Sequence, residues 1–226
     1  MLTEDTLQKH IFETYFCLRL GMAVIALAFP ILLWGYGCFH GIGLQNSMSA
    51  YYWASAPGST DSPVRVWFIG VLFAIGAFLY LYKGFSAQEN IALNLAAIFA
   101  IGVAYFPMEW NCGGNCQSFS AHGTSAILFF LCLAYVAWFR AGDTLDNHKS
   151  QEYKETYRKL YRFTALLMVA SPVTAAVLLL VLQLERNKYV FVLEAIAIWA
   201  FALYWAIKTT EMRKSNLEFA PARPTE

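Results

Sequence analysis

The sequence carries little charge for its length. Charged residues make up 14% of the 226 residues, whereas a soluble domain carries about a quarter. Hydrophobic residues make up 58% of the chain. This composition excludes an ordinary soluble domain. The net charge of +1 leaves no excess of either sign that would indicate binding to nucleic acid or to an acidic partner.

The chain also lacks the short motifs that identify common classes of enzyme. We find no GxGxxG, P-loop, HExxH or GxSxG pattern in it. We find no internal repeat either, so an inverted-repeat transporter is not supported. Any catalytic site must therefore be sought in scattered residues that the fold brings together.

Six long apolar runs separate the few charged segments. A bilayer core about 30 Å thick requires roughly 20 apolar residues of helix, because backbone groups in lipid must be paired within the chain. We therefore predict an all-α, six-transmembrane-helix bundle over residues 16–210, preceded by an interfacial helix at 1–15 and followed by a disordered cytosolic tail at 211–226. The runs are 16–39, 64–84, 89–108, 121–140, 160–183 and 187–208.

The basic residues predict which side of the membrane each end of the chain occupies. With a cytosolic N-terminus, all of the 16 lysines and arginines except Arg65, Arg186 and Lys188 belong to cytosolic ends and loops. Cytosolic loops of membrane proteins carry such an excess, so both termini are predicted to be cytosolic. Arg19 lies one turn inside the first run, and we expect its charged head to extend back to the cytosolic headgroups.

Two cysteines fall in the outer loop that follows the third run. Cys112 and Cys116 belong to the sequence WNCGGNCQ, whose glycines give a tight loop its backbone freedom. Because the charge pattern places this loop in an oxidising compartment, we predict a disulfide between them. A zinc site formed with Glu109 and His122 is the alternative, although the spacing matches no common zinc motif.

Polar residues also gather near the predicted outer face. Glu194 lies about two turns inside the last run, where an unpaired charge costs several kcal/mol, which makes it a functional hypothesis. Residues 187, 190, 191 and 194 share one face of that helix, and His122 and Ser125 share one face of the fourth. If these faces meet, a carboxylate, an imidazole and a hydroxyl converge, a set suited to acid–base chemistry on a lipid or to metal binding.

From this cluster we predict catalytic roles for His122 and Glu194. In this hypothesis His122 is a base or ligand that Glu194 orients, and Arg65 holds a phosphate or carboxylate. Simpler interpretations stay open: Glu194 pairs with Arg65 or binds a proton, His122 caps a helix, or the residues belong to an ion path. The outer segment 40–63 is either a functional lid or an aromatic belt at the membrane surface. The predicted substrate-binding residues are Ser49, Tyr52, Arg65 and Glu109.

Four strings of the sequence resemble a known group of proteins. They are NSMSAYYW at 46–53, FIGVLFAIGAFLYLYKG at 68–84, IGVAYFP at 101–107 and AHGTSAILFF at 121–130. Their order resembles bacterial six-helix membrane proteins of uncharacterised function. It is also distantly similar to the superfamily of the damage-regulated autophagy modulators (DRAM) and the PGAP proteins that remodel GPI lipids. Matching positions are Ser47 and Ser49 in the serine-rich first outer loop, and His122, Ala126, Phe129 and Phe130 at the opening of span four.

The resemblance implies a lipid-related function in a bacterial inner membrane. Our leading hypothesis is an outward-facing polar pocket that binds or modifies a membrane lipid, whether or not the protein is an enzyme. The alternative is a non-catalytic subunit or scaffold that packs against other membrane proteins, or its own copies, through small-residue faces. The zinc site of the alkaline ceramidases and progestin-receptor-like hydrolases is not matched, because only His40 and His122 lie on the outer side. The cofactor stays unknown.

Overall fold

The computed structural model describes residues 4–110, 120–147, 150–182 and 187–215. Across these ranges the chain contains helices and connecting segments and no strand, which confirms the all-α class. The six α-helices are α1 (Glu4–Phe39), α2 (Arg65–Leu81), α3 (Ala87–Tyr105), α4 (Ala121–Tyr135), α5 (Gln151–Ala176) and α6 (Lys188–Ser215).

Helix lengths confirm a multi-pass membrane protein. Apart from α2, each of the described helices is long and apolar enough to cross a bilayer, α4 when it is taken with the helical turns that follow it as Ala121–Leu145. The 17 residues of α2 are as apolar but shorter. At 1.5 Å per residue α2 rises about 25 Å, slightly less than the roughly 30 Å of a bilayer core. The six predicted spans therefore correspond to the six helices, and α2 is the shortest span once α4 is counted together with the helical turns that follow it.

Three helices begin at a serine that accepts a hydrogen bond from the first turn. Ser86, Ser120 and Ser150 accept from the backbone N–H of the residue three positions later, at the starts of α3, α4 and α5. A serine at this position satisfies one of the donors that the first helical turn leaves unpaired. These caps fix where each helix starts, including the start of α4, where His122 lies.

The helices are arranged as a closed ring. Each packs on the next helix along the chain, and α6 returns to pack on α1. Large side chains such as Phe29, Phe68, Phe129 and Phe201 are buried inside the ring. The outward faces carry exposed apolar side chains, which is the pattern expected where lipid surrounds the protein. The ring thus has an interior that contributions from several helices can line.

Glycine allows two of the helix pairs to approach closely. A Cβ atom added to Gly76 of α2 would lie 3.1 Å from the carbonyl oxygen of Ala97 and 3.0 Å from Cγ1 of Ile101, both in α3. A Cβ added to Gly102 of α3 would lie 2.7 Å from Oγ of Ser125 in α4. Small residues at membrane helix interfaces permit such contact between backbones.

Some boundaries differ from the sequence prediction. Residues 4–15 are continuous with the first span in the single 36-residue helix α1. A π-helical turn, Val136–Arg140, and a 3-10 segment, Ala141–Asn147, follow α4, and a second π-helical turn, Val177–Val181, follows α5. Helix α6 continues to Ser215, and the rest of the predicted tail lies outside the described residues.

We expect Gly76→Val to destabilise the fold. Its side chain would overlap a backbone carbonyl of α3, and overpacking of a tight interface costs about 1–3 kcal/mol. The matched control is Gly70→Val in the same helix, because no atom lies within 4 Å of a Cβ added there. Unfolding by SDS in mixed micelles, followed by circular dichroism, measures the difference. Equal stability of the two variants would contradict the close α2–α3 approach.

Candidate functional site

The loop between α1 and α2, called the outer loop after the side of the membrane that the sequence predicts for it, folds into the ring of helices. Helix α1 ends in a Schellman motif, in which the N–H of Ile42 donates to the carbonyl of Gly37 and Gly41 has a φ of +73°. The chain then returns towards the bundle, and the ring of Tyr51 lies against Gly37, 2.9 Å from where a Cβ would be. Tyr51 is 0% exposed and its ring also contacts Phe191 of α6.

Side chains on three sides hold this loop in place. The indole N–H of Trp53 donates to the carbonyl of Met108, and the backbone N–H of Ala50 donates to Oγ of Ser47. Met48, Ala50 and Tyr51 are all buried. The segment 47–51 is therefore part of the packed interior, whereas residues 57–61 are exposed. A belt lying only at the membrane surface does not describe residues 47–51.

His122 lies at the start of α4 with both ring nitrogens engaged. Its Nδ1 is 2.8 Å from the carbonyl oxygen of Phe106 and 3.0 Å from that of Val103. These carbonyls are at the C-terminal end of α3, where helical partners run out. Since carbonyl oxygens only accept, Nδ1 carries the proton, and in the neutral ring Nε2 presents a lone pair.

That lone pair faces the hydroxyl of Ser49. The distance from His122 Nε2 to Ser49 Oγ is 2.8 Å, so the hydroxyl donates its proton to the imidazole. A serine hydroxyl on a histidine whose other nitrogen is fixed by a third group is the arrangement that activates a nucleophile. Here backbone carbonyls, rather than a carboxylate, orient the ring.

Glu194 is joined to the same loop from the opposite side. Its Oε2 accepts a hydrogen bond of 2.5 Å from the backbone N–H of Met48. Met48 and Ser49 are consecutive, so adjacent loop residues bond to α6 and to α4. The predicted faces of spans four and six thus meet through the loop at this level: His122 and Ser125 pack towards α3, and the loop fills the space between His122 and Glu194.

A cavity of about 70 Å³ extends from Ser49 and Glu194 into the ring. Apart from these two residues its lining is apolar. Since a buried water needs roughly 10–15 Å³ measured in this way, the space accepts several linked methylene groups but not a whole lipid. The lining residues are Phe29, Met48, Ser49, Phe68, Leu72, Val103, Ala126, Phe129, Phe130, Glu194 and Ile198.

The predicted substrate-binding residues Arg65 and Tyr52 form a separate pair beside this cavity. Nε of Arg65 donates to the carbonyl oxygen of Tyr52 at 2.6 Å, and the guanidinium lies over the rings of Tyr52 and Trp53. Arg65 begins α2, the helix that contributes Phe68 and Leu72 to the cavity wall. Arg65 precedes Phe68 by three residues, so the two lie on the same face of α2, with Arg65 just beyond the cavity wall.

Two other sequence predictions have different outcomes. Glu109 is half-buried after α3, next to the Met108 carbonyl that Trp53 binds, and is not among the cavity-lining residues. Cys112 and Cys116 lie outside the described residues, so their disulfide stays a prediction. Within the described ranges no three His, Cys, Asp or Glu side chains are grouped so that they could hold a metal ion.

A second polar cluster, which sequence reasoning missed, is buried at the opposite end of the ring. Nζ of Lys208 contacts Glu211 Oε2 at 3.1 Å and Thr144 Oγ1 at 2.6 Å. Tyr161 donates to Glu211 Oε2 at 2.6 Å, and Thr144 donates to Oε1 at 2.8 Å. Lys208 is 1% and Glu211 0% exposed, so both charges are fully removed from solvent.

Arg19 and Glu89 also belong to this end of the ring interior. Both are 1% exposed, and Oε2 of Glu89 accepts the backbone N–H of Phe85. The prediction that Arg19 extends to the headgroups is therefore wrong: it is enclosed among helices. The sequence did contain one indication of the buried cluster. Lys208 and Glu211 are three residues apart, which places them on one helix face, and an apolar methionine follows them where the helix was expected to leave the membrane.

The chain matches no protein-family model, no curated protein and no solved structure. The resemblance to the DRAM and PGAP proteins, which is inferred from four short strings of the sequence, therefore stays a prediction. The fold defines the class: an all-helical, multi-pass membrane protein with a closed ring of six helices.

We expect Glu194→Ala to loosen the outer loop. The backbone N–H of Met48 would lose a carboxylate acceptor, and a hydrogen bond to a charged group contributes about 1.5–3 kcal/mol. Amide hydrogen exchange of residues 47–53 in nanodiscs should accelerate roughly tenfold or more. Amides in the middle of α3 serve as the internal control. Unchanged exchange in the loop would mean that Glu194 does not hold it.

We expect Lys208→Met to destabilise the protein by about 3–5 kcal/mol, because it leaves a buried carboxylate without its counter-charge. The double variant Lys208→Met with Glu211→Gln should recover much of the loss, since the neutral amide still accepts from Tyr161. The control is Lys214→Met, an exposed position on the same helix. SDS titration measures all three; a double variant less stable than Lys208→Met would contradict the pairing.

Proposed function

We propose that this protein binds a membrane lipid in its outward-facing pocket and that Ser49 and His122 act on an ester or amide carbonyl of that lipid. The proposal includes a bacterial inner-membrane location with both termini cytosolic, which the distribution of lysine and arginine supports. The observation that carries it is the 2.8 Å contact between Ser49 Oγ and His122 Nε2 at the end of an apolar cavity.

The proposed reaction begins with proton transfer to the histidine. Nε2 of His122 accepts the hydroxyl proton as Oγ of Ser49 attacks the carbonyl carbon, and the carbonyls at the end of α3 stabilise the resulting imidazolium through Nδ1–H. His122 then returns the proton to the departing alcohol or amine, leaving an acyl–serine. Water attacks this intermediate with the same histidine as base, and a free acid is released.

The surroundings of the pair fit a lipid better than a water-soluble substrate. The apolar part of the cavity accepts the acyl segment next to the carbonyl, while the rest of the chain stays in the bilayer. Arg65, one turn outside Phe68 on the same face of α2, is placed to contact a headgroup phosphate. A lipid in this orientation presents its ester between the two, at the level of Ser49.

Glu194 acts in this proposal mainly through position. Its bond to the N–H of Met48 fixes the residue before the nucleophile, and its carboxylate forms part of the cavity wall. The orientation of His122 is supplied by the carbonyls of Val103 and Phe106. Glu194 is therefore a positioning residue for Ser49 rather than the group that orients the imidazole.

The scaffold alternative depends on small-residue faces that are free to meet another protein. Several of these are occupied within the chain: Ala92, Ala96 and Ala100 are buried, and Gly76 is packed against α3. Gly70, by contrast, is exposed on α2. The lipid-handling proposal uses more of the polar residues inside the ring, and we favour it for that reason.

We expect lipid turnover to require Ser49 and His122. Purified protein in liposomes of total bacterial lipid should produce a free acid together with the lysolipid or amine that it leaves, both detected by mass spectrometry. Ser49→Ala and His122→Ala should each lower the rate by at least about a hundredfold. The control, Ser55→Ala, removes an exposed hydroxyl from the same loop and should leave the rate unchanged.

A covalent probe separates catalysis from binding. A fluorophosphonate should label wild-type protein at Ser49 and fail to label His122→Ala. Turnover that survives Ser49→Ala would contradict the nucleophile. If no lipid is converted, but one co-purifies with wild type and is lost on Ser49→Phe, the protein is a binding protein; no difference of either kind would favour the scaffold.

A further inference from the structure

A second, larger cavity lies at the other end of the molecule, away from Ser49. Its volume is about 330 Å³, and it opens between α5 and the π-helical turn and 3-10 segment that follow α4. Its wall is more polar than that of the outer cavity. The lining residues are Ala137, Trp138, Phe139, Gly142, Asp143, Arg158, Tyr161 and Arg162.

Among the described residues, two arginines at this cavity have no ion-pair partner. Asp143 is the only acidic residue among the lining side chains. It already forms an ion pair with Arg140, whose Nη2 is 2.6 Å from its Oδ1. Arg140 also donates to Gln88. Arg158 and Arg162, four apart on α5, form no ion pair with any described residue. Both line the same cavity, so two positive side chains border one space. Like charges at this spacing repel each other, and an anion between them relieves the repulsion.

The geometry of the pair suits a phosphate group. Guanidinium groups bind phosphate oxygens through two parallel hydrogen bonds, which a single lysine cannot do. The guanidinium of Arg162 lies over the ring of Trp138, with Cζ 5.5 Å from the ring centroid, which restricts its motion. Gly142 adds no side chain to the opposite wall of the cavity.

The depth of the cavity indicates where a phosphate would come from. Arg140 marks the end of the fourth apolar run, and the fifth run starts at 160, so the cavity lies at the level of one layer of headgroups. Trp138 and Phe139 are exposed beside it, as aromatic residues are at membrane interfaces. The distribution of basic residues makes this the cytosolic side, where anionic lipids attract such clusters.

We infer that Arg158 and Arg162 form a phosphate-binding site at the cytosolic membrane surface, one that takes either the headgroup of an anionic phospholipid or free phosphate. The inference is independent of the reaction proposed for Ser49, because no residue is shared between the two cavities. Such a site would hold a specific lipid against α4 and α5.

The test compares two double variants that remove equal charge. Arg158→Gln with Arg162→Gln removes the site, whereas Lys159→Gln with Lys214→Gln removes two exposed charges that do not line the cavity. Native mass spectrometry in a non-ionic detergent counts bound phosphatidylglycerol and cardiolipin. Isothermal titration with inorganic phosphate and with glycerol phosphate tests the soluble source.

We expect wild type and the lysine variant to bind phosphatidylglycerol equally, and the arginine variant at least about tenfold more weakly. Binding of lipid alone identifies a headgroup site, and binding of inorganic phosphate with the same dependence on the arginines identifies a free-phosphate site. Circular dichroism checks that both variants fold. The inference is overturned if wild type binds neither anion, or if the arginine and lysine variants bind with the same affinity.

Discussion

A polar group inside the ring is stabilised by partners within the protein, because the surrounding lipid offers none. The outer loop illustrates this constraint. Its residues 47–51 enter the interior and bring backbone donors with them. The N–H of Met48 donates to the carboxylate of Glu194 in α6. The carbonyls of Val103 and Phe106, at the end of α3, accept from Nδ1–H of His122. Satisfying these groups is what places a serine hydroxyl on an imidazole.

The same constraint shapes the other end of the ring. Lys208 and Glu211 are buried there, and each is surrounded by hydroxyl or carbonyl partners from α5 and the segment after α4. A pair of charges in a low-dielectric interior contributes little net stability against an apolar alternative, but removing one partner is costly. The pair therefore specifies how α6 is aligned with α5 and the preceding segment more than it strengthens the fold.

Much of the fold could be predicted from apolar run lengths alone, because a bilayer leaves the backbone few choices. Of the candidate site, His122 and Glu194 could be singled out from the sequence, since ionisable residues are rare within apolar runs, and their catalytic roles stay a prediction. Their connection was not predictable: the faces of α4 and α6 meet through Met48 and Ser49, and no periodicity describes how an irregular loop re-enters a bundle. Arg19 was misplaced for a related reason. Snorkelling is the usual behaviour of an arginine at a helix end, and only the fold reveals that other helices enclose it.

The closed ring has a consequence for how the protein is made. Helix α6 is synthesised after the other five described helices, yet it supplies Glu194 to the outer loop, Lys208 and Glu211 to the inner cluster, and the surface that completes the ring against α1. Until it enters the membrane, Arg19 and Glu89 have no complete enclosure, and Ser49 lacks the contact that fixes the neighbouring Met48. Until α6 is inserted, the five earlier helices therefore form an incomplete assembly with polar residues along its interior. Insertion of α6 therefore completes the polar contacts at both ends of the ring.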